Sequence, residues 1–173
     1  SQGAQQINQA LPAAAKRLAE ALPALRILHQ AGQKNLEETR AAYESEGLTD
    51  RNVEVVPFLE DVAGAMAGSH LLVSRAGAIT LAEICAAGRP SVLVPLAISL
   101  GHQVDNARVL AEAGGAGMLP SNEFTAERLA DTVLELFGDG ERLARMGRAA
   151  RSLARPRAVA DIADRLEDVG GRG

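Results

Sequence analysis

At 173 residues the chain has the length of one domain and can bury roughly 70% of its unfolded surface. Its apolar share of 47% includes no Trp, three Phe and one Tyr, and its net charge is −4. Single-strand nucleic-acid binding, which needs aromatic stacking platforms, and duplex binding, which needs a basic face, are both excluded, so no nucleic-acid partner is expected.

The chain reads as alternating helices and short β-branched strands. Residues 4–22 have helical periodicity, with Pro12 a kink or restart. A strand is predicted over 25–29, a charged amphipathic helix over 34–46 and a second strand over 53–56. A short helix at 61–66 precedes a buried strand at 71–74, and a helix follows over 79–87. The next pair is a strand at 91–95 and a helix at 103–113, with a last strand at 117–119. Three helices close the chain, over 125–137, 141–154 and 158–169, and the Gly-rich residues 170–173 are expected to be a disordered tail.

Strand–helix alternation with uniformly apolar strands predicts an α/β domain over residues 1–169, a Rossmann-like parallel sheet covered by helices. Ser1-Gln2-Gly3-Ala4 reads as a small-residue turn entering a helix with no strand before it. The expectation is a cut inside a larger protein, with the first strand of the sheet missing. Ligands of such folds bind beyond the carboxyl ends of the strands, so the strand-to-helix loops should carry the chemistry.

The strongest local signal is Ser74-Arg75-Ala76-Gly77-Ala78-Ile79-Thr80-Leu81-Ala82-Glu83, a strand passing through a small-residue turn into a helix. Free N–H groups and the positive dipole end at a helix start suit a pyrophosphate, and Gly77 and Ala78 allow close approach. Arg75 could add a charge-assisted contact to phosphate, and Glu83 could accept from both ribose hydroxyls. The same residues also fit a capping box, in which Thr80 and Glu83 satisfy the helix end and bind nothing. A second strand end and helix start brings His102 and Gln103, whose amide can read sugar hydroxyls, followed by a structural Asn106 that bonds to backbone. The third signal is Ser1 to Ala4 with Asn8 behind it, a phosphate-suited helix start that also reads as an ordinary N-cap.

Taken in order and spacing, these three segments resemble the MurG family. Supporting stretches are His29-Gln30-Ala31-Gly32 and Pro57-Phe58-Leu59, and the two glycines that usually precede the family's first loop are missing. The resemblance covers only the C-terminal, donor-binding half of that two-domain GT-B glycosyltransferase. It implies transfer of N-acetylglucosamine from UDP-GlcNAc to undecaprenyl-pyrophosphoryl-muramoyl-pentapeptide, with inversion at the anomeric carbon. Residues implied in UDP-GlcNAc binding are Ser1, Gln2, Gly3, Leu59, Arg75, Gly77, Ala78, Ile79, Thr80, Glu83, His102 and Gln103. Ser1 would touch donor phosphate and the Leu59 backbone would read the uracil edge. Arg75 and the amides of Ala78 to Thr80 would face the pyrophosphate and sugar. Glu83 would hold the ribose and Gln103 the sugar hydroxyls.

No Asp-x-Asp motif occurs and Cys85 stands alone, so no metal and no cofactor are expected, and the helix-end amides and Arg75 would stabilise the leaving UDP. The catalytic base and the lipid-linked acceptor are implied for the absent N-terminal domain, so the chain by itself is expected to bind donor weakly and complete no turnover. Peripheral association with the cytoplasmic face of the bacterial inner membrane is implied mainly through that same half. Two other readings stay open: a glycolipid glucosyltransferase of the same fold, and a non-catalytic donor-binding subunit of a split transferase. The arginines at 142, 145, 148, 151, 155 and 157 are read as a solvated helix face, with Leu143, Met146 and Leu153 supplying its core side.

Overall fold

A computed structural model of the protein describes residues 5–96 and 102–158. Helix α1 spans Gln5–Ala21 and is followed by strand β1, Ile27–Gln30. A 3₁₀ turn at Gln33–Asn35 leads into α2, Leu36–Ser45, then β2, Val53–Val56, and α3, Val62–Gly68. Strand β3 is Leu72–Ser74, α4 Ala78–Ala87, β4 Ser91–Leu93, α5 His102–Glu112 and β5 Ala116–Met118. Helices α6, Ala126–Phe137, and α7, Gly140–Ser152, complete the described chain. The helix predicted over 158–169 and the tail after it lie almost wholly outside the described residues.

All strand pairs are parallel, as the alternation predicts, but they form two hydrogen-bonded groups, β1–β2 and β3–β4–β5. A shared core joins the groups. Val53 and Val55 of β2 cluster with Val92 and Val94, and with Leu11 of α1 and Leu129 and Val133 of α6. Leu93 points the other way, into a second cluster with Ile84, Ala107, Leu110 and Ala150. Alternate residues of this central strand therefore face opposite layers, and both faces of the sheet are covered by helices.

Several boundaries move for physical reasons. Pro12 neither ends nor restarts α1; it is buried within the continuous helix. A mid-helix proline costs about 3 kcal/mol in isolation, and packing of α1 against both α6 and α2 offsets it. Strand β1 begins two residues later than predicted and carries an inward-facing His29, so it is not uniformly apolar. On α7 the buried residues are Met146, Gly147 and Ala150, and Leu143 packs against the core partly buried, whereas Leu153 is the helix's C-cap and 36% exposed. Small residues are needed there because α7 crosses the end of α4 closely: a Cβ on Gly147 would lie 2.8 Å from the Gly88 carbonyl oxygen. Gly88, at φ 63, is the left-handed residue that stops α4.

Three of the four arginines of α7 are occupied locally. Arg142 pairs with Glu135, Arg145 with Glu141 and Asp139, and Arg151 donates to the Ala86 carbonyl. These contacts fit the solvated-face reading of the run.

Candidate functional site

Because strands are parallel within each group, the loops after β1 and β2 emerge together, as do those after β3, β4 and β5, and contacts of Asn8 with Ala31 and of Gln6 with Arg75 bring both sets to one crest around the start of α1. The first turns of α1 join them there, and polar side chains hold the assembly together. Asn8 of α1 donates from Nδ2 to the Ala31 carbonyl, 3.0 Å away, just beyond β1. Its Oδ1 is 3.0 Å from His29 Nε2, and His29 Nδ1 is 2.9 Å from the Tyr43 hydroxyl. With Asn8 Nδ2 given to Ala31, Asn8 Oδ1 can only accept. His29 is therefore the neutral Nε2–H tautomer, and the Tyr43 hydroxyl donates to its bare Nδ1. Burial pushes the His29 pKa down to about 4 and raises that of Tyr43, so both stay uncharged across the physiological range.

Arg75 takes a second bracing role. Its guanidinium donates to the Val94 carbonyl at 2.9 Å, to Ser121 Oγ at 3.3 Å and to Gln6 Oε1 at 3.0 Å. Ser121 in turn donates to the Pro95 carbonyl. One cation thus ties the first turn of α1 to the loops after β3, β4 and β5, and partial burial lowers its pKa. Asn106 donates to the Ala76 carbonyl at 3.3 Å, as its structural reading predicts. Gln103 accepts from the Leu96 N–H at 3.1 Å, so its carbonyl serves the loop and its NH2 group is left for another partner. His102 is the exposed first residue of α5.

The start of α4 decides between ligand binding and capping. The helix begins at Ala78 with Gly77 as its N-cap, and no side chain caps it. Thr80 is therefore the third helical residue, not the cap, and the capping-box reading of Thr80 and Glu83 fails. Helices α3, α6 and α7 by contrast are capped by the side chains of Asp61, Thr125 and Asp139. The first amide of α4 that closes a helical turn is Leu81, which donates to the Gly77 carbonyl. The N–H groups of Ala78, Ile79 and Thr80 precede it and have no helical acceptor. Glu83 is exposed, on the same face as Ile79, which is itself 77% exposed.

Leu59 lies in the loop between β2 and α3, where its N–H donates to Gln30 Oε1 at 3.0 Å. Its neighbour Phe58 is 69% exposed, an uncommon setting for an aromatic side chain. Ser1, Gln2 and Gly3 lie outside the described residues. Among the described residues no cluster of His, Cys, Asp and Glu could hold a metal ion, and no helix is long and apolar enough to cross a membrane. Sequence reasoning did not find Gln6, Gln30 or Ser121 as parts of the crest. For Gln30 a signal existed, since it follows inward-facing His29 on a strand and must face outward.

The profile of the glycosyltransferase family 28 C-terminal domain matches residues 1–166. The UDP-N-acetylglucosamine--N-acetylmuramyl-(pentapeptide) pyrophosphoryl-undecaprenol N-acetylglucosamine transferase of Halorhodospira halophila is 45% identical over 170 residues, 98% of this chain and 46% of the relative. The transferase of the same name from Methylibium petroleiphilum is 44% identical over 168 residues, 96% of this chain and 45% of its own length. The crystal structure of Acinetobacter baumannii MurG superposes with a TM-score of 0.84 at 34% identity, covering 96% of this chain and 47% of that one. The chain spans about half the length of the curated relatives it matches.

Proposed function

The chain belongs to glycosyltransferase family 28 as its C-terminal domain, and from that membership we propose that it is the UDP-N-acetylglucosamine site of a transferase acting on undecaprenyl-pyrophosphoryl-muramoyl-pentapeptide. The observation that carries the proposal is the uncapped start of α4 with exposed Glu83 beyond it. Three unengaged amides and the helix dipole form a receptor for a pyrophosphate. Glu83 then receives the two ribose hydroxyls in charge-assisted hydrogen bonds. Gln103 offers its NH2 group to a sugar hydroxyl, His102 lies beside it, and Gly77 lets the backbone approach the phosphates. Arg75, anchored to α1 through Gln6, adds positive charge to this side of the crest.

In the reaction, a base takes the proton of the muramoyl 4-hydroxyl, and that oxygen attacks the anomeric carbon from the face opposite UDP. The bond to the UDP oxygen breaks with its electron pair, and negative charge grows on the pyrophosphate. Amides fixed before reaction stabilise that charge without reorganising, worth about 3–4 kcal/mol for each critical donor. The acceptor, the base and a peripheral attachment to the cytoplasmic face of the inner membrane are assigned, in this reading, to a second domain outside the matched span.

A chimera tests the assignment. This chain, joined to the N-terminal half of the Halorhodospira halophila relative, is expected to transfer labelled N-acetylglucosamine to the lipid-linked muramoyl-pentapeptide. A folded chimera that prefers UDP-glucose, or that transfers nothing, contradicts it.

A further inference from the structure

The geometry points to a docking surface on the outer edge of β2, shaped for one short, extended, basic segment of a partner protein. The carbonyls of Asn52 and Val56 accept from the N–H groups of Ile27 and Ala31, in β1 and just beyond it. Backbone groups alternate in direction along a strand, so those of Val53 and Val55 turn away from β1. Two of these four outward groups are taken. The Val53 N–H donates to the Thr49 carbonyl at 3.0 Å, and the Val55 carbonyl accepts from the Arg40 guanidinium at 3.2 Å. The Val53 carbonyl and the Val55 N–H have no partner among the described residues.

Those two groups are the pair that a parallel strand requires. In a parallel ladder one residue donates to the carbonyl before its neighbour and accepts from the N–H after it, so a single residue opposite Glu54 fills both. The sealed groups on either side end the ladder there, and the occupant is therefore short. Its chemistry follows from the cleft of about 520 Å³ beside this edge. Tyr43 and Leu48 give the cleft an apolar wall, and exposed Glu44, Asp50 and Glu54 make it acidic. The cleft's Arg40 is already paired with Glu37. A basic residue opposite Glu54 meets an unlike charge on the same face of the sheet. A second copy of this chain fits poorly, because two β2 edges joined about a two-fold axis run antiparallel and set one Glu54 directly against the other. No residue of the donor site takes part, so this surface stands or falls independently of the donor-site reading.

Amide resonances of the isotopically labelled chain read the edge directly. The probes are two pentapeptides with acetylated and amidated ends, Thr-Val-Lys-Val-Thr and Thr-Val-Glu-Val-Thr, whose valines face the apolar wall. The lysine peptide is expected to shift the Val55 amide and slow its hydrogen exchange. The glutamate peptide is expected to leave that amide unchanged, and neither peptide moves the amides of Ala78 to Thr80. Glu54→Lys is expected to weaken the lysine peptide at least about fivefold and to admit the glutamate peptide, with the melting temperature kept. Glu54→Gln, a milder change, is expected to narrow the preference between the two. Equal binding of both peptides by the original chain overturns the proposal, as does a Val55 amide that neither moves at millimolar concentration. A Val55 amide that becomes protected as the chain alone is concentrated also overturns it, because a second copy then holds the edge.

Discussion

Glu83→Ala is expected to lower the affinity for UDP-N-acetylglucosamine about 100-fold and to leave the melting temperature unchanged. The size follows from losing two hydrogen bonds to a carboxylate, roughly 3 kcal/mol together after exchange with water. The unchanged stability follows from the place of Glu83 in α4. It is exposed, six positions past the N-cap Gly77, and has no part in closing the helix end. Alanine is also the best helix former, so the substitution does not weaken α4 itself. Calorimetric titration and a thermal melt of the same sample check both halves. A variant that melts several degrees lower and binds donor normally would restore the capping role.

The second large effect concerns stability and lies beneath the crest. His29→Phe is expected to cost about 3–4 kcal/mol, because it strands Asn8 Oδ1 and the Tyr43 hydroxyl in a buried setting. Tyr43→Phe removes one member from the end of the network and is expected to cost only about 1–2 kcal/mol. The histidine also sets a pH dependence with a definite sign. Unfolded, it takes up a proton below pH 6.5; folded, only below about 4. The unfolded chain binds more protons between these values, so stability is full above 6.5 and falls as the pH drops toward 4, by about 3 kcal/mol in all. Denaturant melts at pH 7, 5.5 and 4 measure the slope, and the part due to His29 disappears in His29→Phe. An unchanged slope would mean that other groups, not this imidazole, carry the acid sensitivity.

What could be read from residues alone differs from element to element. Strand–helix alternation, the β-branched stretch Val53–Val56 and the apolar run at 71–74 identify the α/β class and the loops worth inspecting, because all are local patterns. The start of α4 is less legible. Thr80 and Glu83 satisfy the spacing of a capping box, and only the placement of Gly77 as N-cap, two residues before the predicted start, removes that reading. Arg75 illustrates a deeper limit. Its hydrogen-bond partners, Gln6 and Ser121, lie 69 and 46 positions away in sequence, and no periodicity encodes them. His29 was predicted within a uniformly apolar strand; its inward ring is tolerated because Asn8 and Tyr43, from two different helices, meet both of its nitrogens.

The central claim is that the unengaged amides at the start of α4 receive the donor pyrophosphate. Titration of UDP-N-acetylglucosamine into the isotopically labelled chain, followed by amide resonances, tests it most directly. The account predicts that the amides of Ala78, Ile79 and Thr80 shift together and saturate at one affinity, and that Glu83→Ala weakens that affinity without moving the site. Saturable binding that leaves those three amides unshifted would contradict it.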